Sequence, residues 1–140
     1  MTTYYLAPFN DAQTDFVVKD KAYNAGFYLD THGWTAMISA LGNGDQLAIE
    51  AHGNNTLHLC SSRDDTFQNR AWIGPHQLWA LINPHLPQAC RTIIIQACHS
   101  IEFGRFFKNY MGGRDIWAFD GTLRSERWSN DPNRNTFTKV

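Results

Sequence analysis

Charge of one sign is missing from this chain. Its 12 Lys and Arg nearly cancel 13 Asp and Glu, and no basic stripe runs along it. A protein that neutralises phosphates needs such a stripe, so no nucleic-acid partner is expected. Long apolar runs are missing too: none approaches the ~20 residues that span a bilayer, and no membrane partner is expected. Met1-Thr2-Thr3-Tyr4-Tyr5-Leu6 lacks the charged opening and apolar stretch of a cleaved signal. Cysteine is scarce, with Cys60, Cys90 and Cys98 forming an odd set that contains no C-x-x-C pair. That usage suits a reducing compartment better than a disulfide framework. Neither an internal repeat nor a low-complexity tract is present.

What remains is a globular composition. The 140 residues are 43% apolar and 14% aromatic, which fits one domain over 1–140 with a polar segment from about 125. Thr3 to Phe9 reads as a first strand near an edge, and Phe16-Val17-Val18 as a short strand or loop anchor. Trp34, Met37, Ile38 and Leu41 follow helical spacing, with Asp30 or Thr31 as caps. After the breaker Gly42-Asn43-Gly44-Asp45 comes the strand Gln46 to Ala51, then a loop and short strand or hairpin to Cys60, with Leu57 and Leu59 on one side. Ser61 to Asn69 reads as an exposed loop. Pro75 suits the first position of a second helix. Thr92 to Ala97 is β-branched and unbroken, as buried parallel strands are. A third helix over Ile101 to Met111 is expected to put Phe103, Phe106, Phe107 and Tyr110 on one face. Asp115 to Phe119 is a further strand. This alternation implies an α/β fold with a parallel sheet and right-handed crossovers.

In such a sheet ligands bind beyond the carboxyl ends of the strands. Three apolar runs end there in polar residues: His52-Gly53, Cys98-His99 and Asp120-Gly121. A thiol attacks as its thiolate, and an imidazole nearby can take its proton. His52 and Cys98 are therefore the expected catalytic pair, meeting if their strands are parallel neighbours. The Gly53 and Cys98 backbone N–H groups would form an oxyanion hole, a contribution of roughly 3–4 kcal/mol per donor. Asp120 would face a basic group of the substrate (a basic P1 side chain if that substrate is a peptide), and His99 would sit at the rim within reach of it. No metal and no cofactor are required.

Gln96-Ala97-Cys98, with a histidine upstream in His52-Gly53, resembles the caspase-like cysteine peptidases. The caspase pattern is Gln-Ala-Cys, then Arg, Gln or Gly, then Gly, with its histidine about 50 residues earlier. His99-Ser100 departs from the last two positions, so the similarity is closer to bacterial relatives, including metacaspase, CHAT and toxin-processing domains, than to true caspases. It covers Asp45 to Gly121. The resemblance implies a small three-layer sandwich with a mostly parallel sheet and helices on both faces. It implies Cys98 as nucleophile, His52 as base, and Gln96 lining the P1 pocket. The activity implied is a cysteine endopeptidase working through a thioacyl enzyme on a specific protein substrate, with an activating partner protein as an option. The setting implied is a bacterial cytoplasm or an effector exported without a signal.

Other readings stand beside this one. His52, His58, Cys60, Cys98 and His99 offer ligand types for zinc, without a knuckle spacing. Cys60 and Cys90 read as packing residues. Glu50 is odd inside an apolar strand, as an edge residue, an ion-pair partner or a pocket residue. A catalytically inactive scaffold, docking through Trp72, Trp79 and Trp128, is the alternative from another class. A deamidase or amide transferase would keep the Cys-His pair.

Overall fold

A β-branched run with no polar alternation is stable only if both of its faces are covered and both of its edges paired. The run Thr92-Ile93-Ile94-Ile95-Gln96 meets that condition near the middle of a six-stranded sheet. The structure, a computed structural model, describes residues 3–9, 26–28, 33–53, 57–60, 72–121 and 137–140. In chain order its elements are β1 (Thr3–Ala7), β2 (Gly26–Tyr28), α1 (Trp34–Ser39), β3 (Gln46–Glu50), β4 (His52–Gly53), β5 (Leu59–Cys60) and β6 (Trp72–Ile73). There follow α2 (Pro75–Ile82), β7 (Thr92–Gln96), α3 (Ile101–Lys108), β8 (Asp115–Ala118) and β9 (Thr138–Lys139).

The large sheet has the order β2-β1-β3-β7-β8-β9. Its first five strands are parallel, and β9 closes it antiparallel to β8. Counted along this sheet, the parallel strands run 2-1-3-4-5, and the order reverses between β1 and β3. A small antiparallel sheet, β4-β5-β6, branches off after β3. The protein is thus mixed α/β with a mostly parallel sheet.

Side chains alternate across each strand, and the two sets have different neighbours. Leu47, Ile49, Ile93, Ile95, Ile116 and Ala118 pack with Ile38 of α1, Leu78 and Ile82 of α2, and Phe103 and Phe107 of α3. All three described helices therefore lie on one face. The opposite set, Tyr5, Ala48 and Ile94, clusters with Phe137, against which Trp117, Phe119 and Cys98 pack. Each fully buried isoleucine or phenylalanine contributes about 1.5–3 kcal/mol, so β7 alone anchors much of the core.

β1 lies near an edge as expected, one strand in, with β2 paired along its outer side; β2, three residues centred on one phenylalanine, gave no periodic signal. Several expectations are corrected. The first helix begins at Trp34, behind Gly33, and the caps expected at Asp30 or Thr31 lie outside the described residues. So do Phe16-Val17-Val18, the Ser61 to Asn69 loop and Trp128. Of the short strands around Cys60, β6 had no counterpart in the reading of the sequence; Leu59 is buried, whereas Leu57 is exposed. The aromatic stripe of α3 splits: Phe103 and Phe107 are buried, but Phe106 is 44% and Tyr110 41% exposed. The reason is Gly104, where a Cβ would stand 3.1 Å from Ala118 Cβ and 3.2 Å from Val140 Cγ2. Contact there turns the buried face toward positions 103, 104 and 107 at 100° per residue, and Phe106 rotates outward. Tyr110 falls beyond the helix end.

Pro75 does occupy the first turn of α2, where Gly74 N–H donates to Gln77 Oε1 at 2.8 Å. Asp45 is a turn residue, its Oδ2 accepting from Gly42 N–H at 2.8 Å. Residues 137–140 of the polar C-terminal segment return to the sheet edge, where Val140 N–H donates to Ile116 O at 2.9 Å.

Candidate active site

Register decides what meets at the carboxyl end of the sheet. β3 and β7 are parallel neighbours paired from Gln46↔Thr92 to Glu50↔Gln96, a constant offset of 46 residues. His52 and Cys98 stand the same 46 residues apart. Ala51 N–H donates to Gln96 O at 3.4 Å, carrying the contact one step beyond the strands. The chain then turns into β4, and Gly53 comes down on the Cys98 backbone. A Cβ at Gly53 would collide with the Cys98 carbonyl oxygen and lie 3.0 Å from its carbon and 3.3 Å from Ala97 Cβ. Only glycine fits this approach. The glycine expected as an oxyanion-hole donor makes room first for Cys98 itself.

His52 is half-buried, with its Nε2 shielded from solvent. Across the small sheet its partner is Cys60, which pairs in turn with Trp72. Cys60, a packing residue by sequence, is buried, and its antiparallel pairing with His52 is the hairpin that the sequence allows alongside a loop. Cys98 is half-buried and packs against the second-face cluster.

The turn that carries Cys98 is tightly held. His99 has φ 49°, a left-handed backbone that costs a non-glycine residue about 1–2 kcal/mol. Its N–H donates to Gly121 O at 2.8 Å, and Ser100 N–H donates to Phe119 O at 2.9 Å. The Ser100 hydroxyl donates to Ile95 O at 3.3 Å and accepts from Phe119 N–H at 3.0 Å. Ser100 stands at the start of α3 yet makes no side-chain cap to it, since its oxygen is used on the strands instead. Sequence reading passed over this role: a serine before a helix signals a cap. The same bonds join the Asp120-Gly121 turn to the Cys98 turn, so Asp120, which is exposed, lies at the same end of the sheet.

Gln96 is buried, and its Nε2 donates to Tyr5 Oη over a long 3.5 Å. Glu50, its register partner, is fully buried beside it on the second face. That settles Glu50 as an interior carboxyl rather than an edge residue. Cys90 lies at the other end of β7, its Sγ 3.8 Å from Asp45 O and 3.9 Å from Thr92 O. Burial pushes the Cys90 thiol above its ordinary range. Beside it, buried Arg114 donates from Nε to Cys90 O at 2.9 Å and from Nη2 to Pro87 O at 2.9 Å and Leu86 O at 3.4 Å. Desolvation lowers the Arg114 guanidinium from its usual value.

Among the described residues, no three His, Cys, Asp or Glu side chains are grouped to hold a metal ion. No described helix is long and apolar enough to cross a membrane. Trp72 and Trp79, offered above as docking aromatics, are half-buried: Trp79 meets Phe107 edge-on at 6.2 Å and lies 5.5 Å beneath Arg114. A concavity of about 270 Å³ on the second face touches Gln46, Thr92 and Asp115, the amino-terminal ends of their strands, far from Cys98. No family model matches this sequence, and no curated protein matches it either.

Proposed function

We propose that the chain is a cysteine endopeptidase of the caspase-like kind, acting through His52 and Cys98. The observation that carries this reading is the contact of Gly53 with the Cys98 carbonyl, at the carboxyl ends of neighbouring parallel strands. It joins a histidine turn to a cysteine turn where α/β sheets bind ligands.

In this reading His52 takes the Cys98 thiol proton, and the thiolate sulfur attacks the scissile carbonyl carbon. The oxyanion is held by the Gly53 and Cys98 N–H groups. Collapse of the tetrahedral adduct breaks the C–N bond, and His52 delivers its proton to the departing amine. Water then attacks the thioester carbon, the acid product leaves, and the thiol is restored. Gln96 and Asp120 belong to the substrate side, with His99 at the rim. A specific protein substrate, bound extended across the strand ends, suits so small a domain.

The three-layer sandwich with helices on both faces is part of the same proposal. Its support is that Tyr5, Ala48 and Ile94 are buried on the face away from α1, α2 and α3. The alternative of a non-proteolytic interaction module draws support from exposed Leu81, Phe106 and Tyr110. Cleavage mapping of a peptide library decides between them. Wild type should cut at defined bonds and Cys98→Ala at none; equal cutting by both would overturn the reading. Asp120→Ala should selectively lower turnover of Lys or Arg substrates, and uniform loss would remove Asp120 from the pocket.

A further inference from the structure

Resting on the peptidase reading, the geometry points to Ser100 as the positioning residue of Cys98. Its hydroxyl lies between two strand ends, donating to Ile95 O on β7 and accepting from Phe119 N–H just past β8. Its own N–H returns to Phe119 O, and the N–H of His99 reaches Gly121 O. Four hydrogen bonds thus close on a three-residue turn whose middle residue is held at φ 49°. A left-handed residue without glycine's freedom relaxes unless its surroundings fix it. Here the fixing comes from one buried side chain and the backbone beside it.

Cys98 is the first residue of that turn. The His99 N–H bond to Gly121 O fixes the peptide plane that joins Cys98 to His99, and with it the direction of the Cys98 carbonyl. The Gly53 contact bears on the same carbonyl from the other side. Cys98 is therefore gripped between β4 and the β8 turn, and Ser100 is the member of the grip whose side chain does the bonding. Misplacing a reacting group by about 1 Å costs roughly a hundredfold in rate. Loss of the hydroxyl should thus act on turnover rather than on substrate binding.

The experiment compares wild type, Ser100→Ala and Ser100→Thr on a peptide cut by the wild type. Active sites are titrated with an irreversible peptidyl electrophile, so that kcat is counted per competent site and unfolded protein drops out. Ser100→Ala should lower kcat per titrated site about ten- to a hundredfold with KM within about twofold. A peptide aldehyde of the same sequence, which mimics the tetrahedral adduct, should bind more weakly by the same factor. Ser100→Thr, which keeps the hydroxyl, should recover most of the loss. Wild-type kcat per site in Ser100→Ala, or a rise in KM alone, would overturn the role while leaving the peptidase reading intact. Absence of Cys98-dependent cleavage by the wild type would overturn both. Should Ser100→Ala not fold, Ser100→Thr carries the test: near-wild-type kcat per site is expected, and a hundredfold loss with the Phe119 N–H still protected from hydrogen exchange would overturn the role.

Discussion

Gly53 has no side chain because the Cys98 carbonyl occupies the place where one would begin. Gly53 ends β4 of the small sheet and Cys98 lies in the turn after β7 of the large one, so the contact ties the two sheets together.

Gly53→Ala forces that contact apart. Overpacking of this sort costs about 1–3 kcal/mol, here concentrated where β4 leaves the large sheet. Thermal unfolding should show the loss, and cleavage should fall further than stability alone explains. An alanine variant with wild-type melting and turnover would show that the approach of Gly53 is not needed.

Native-state alkylation separates the three thiols. Iodoacetamide should label Cys98 first, while Cys60 and Cys90, both buried, react only on opening. His52→Ala should slow labelling of Cys98 and reduce peptide turnover by about 10²–10⁴. Mass spectrometry of the labelled peptides gives the order, and labelling confined to Cys60 or Cys90 would contradict a catalytic Cys98.

Arg114 binds backbone carbonyls of the segment between α2 and β7, with Met111 O a further acceptor at 3.5 Å. Arg114→Met leaves those buried acceptors unpaired, at a cost of roughly 2–4 kcal/mol measured by denaturant titration. Arg114→Lys keeps the charge but not the fork, and should recover only part of it. Neither change touches the sheet end where Cys98 sits, so turnover by the folded fraction should stay near wild type.

Alkaline pH should find Cys90. Its thiol is raised by burial, so the folded state holds that proton more tightly than the unfolded chain. The contribution is fully present below the ordinary thiol range and is lost as pH rises through the folded value. Wild type should lose stability above that range more steeply than Cys90→Ala, read as the slope of unfolding free energy against pH. Equal slopes would exclude Cys90 as the cause.

Much of this arrangement was legible in the residues. Thr92 to Ala97 announced a central strand by β-branching, Pro75 announced a helix start, and the offset of His52 from Cys98 matched neighbouring strands. What stayed hidden depended on pairing across distance. The stretch before Cys60 allows a loop or a hairpin, so it does not fix the pairing of Cys60 with His52, and β2 is too short to leave a periodic trace. Phe106 looked like core because four aromatics suggested a stripe; the orientation of α3 is decided by Gly104, whose contacts are 14 and 36 residues away on Ala118 and Val140. Ser100 drew no structural reading because local rules see only the helix it precedes, whereas its bonds run to two strands.

The shared register of β3 and β7 has an evolutionary consequence. Sliding β7 by one residue against β3 would move Cys98 away from His52, and it would also swing Ile93 and Ile95 out of the helix-covered core. Chains carrying that error would fail to fold, whatever the pair does. Selection on folding alone therefore preserves the register that carries the His52 and Cys98 turns to one end of the sheet, whatever the length of the segments that join β5, β6 and α2 between them.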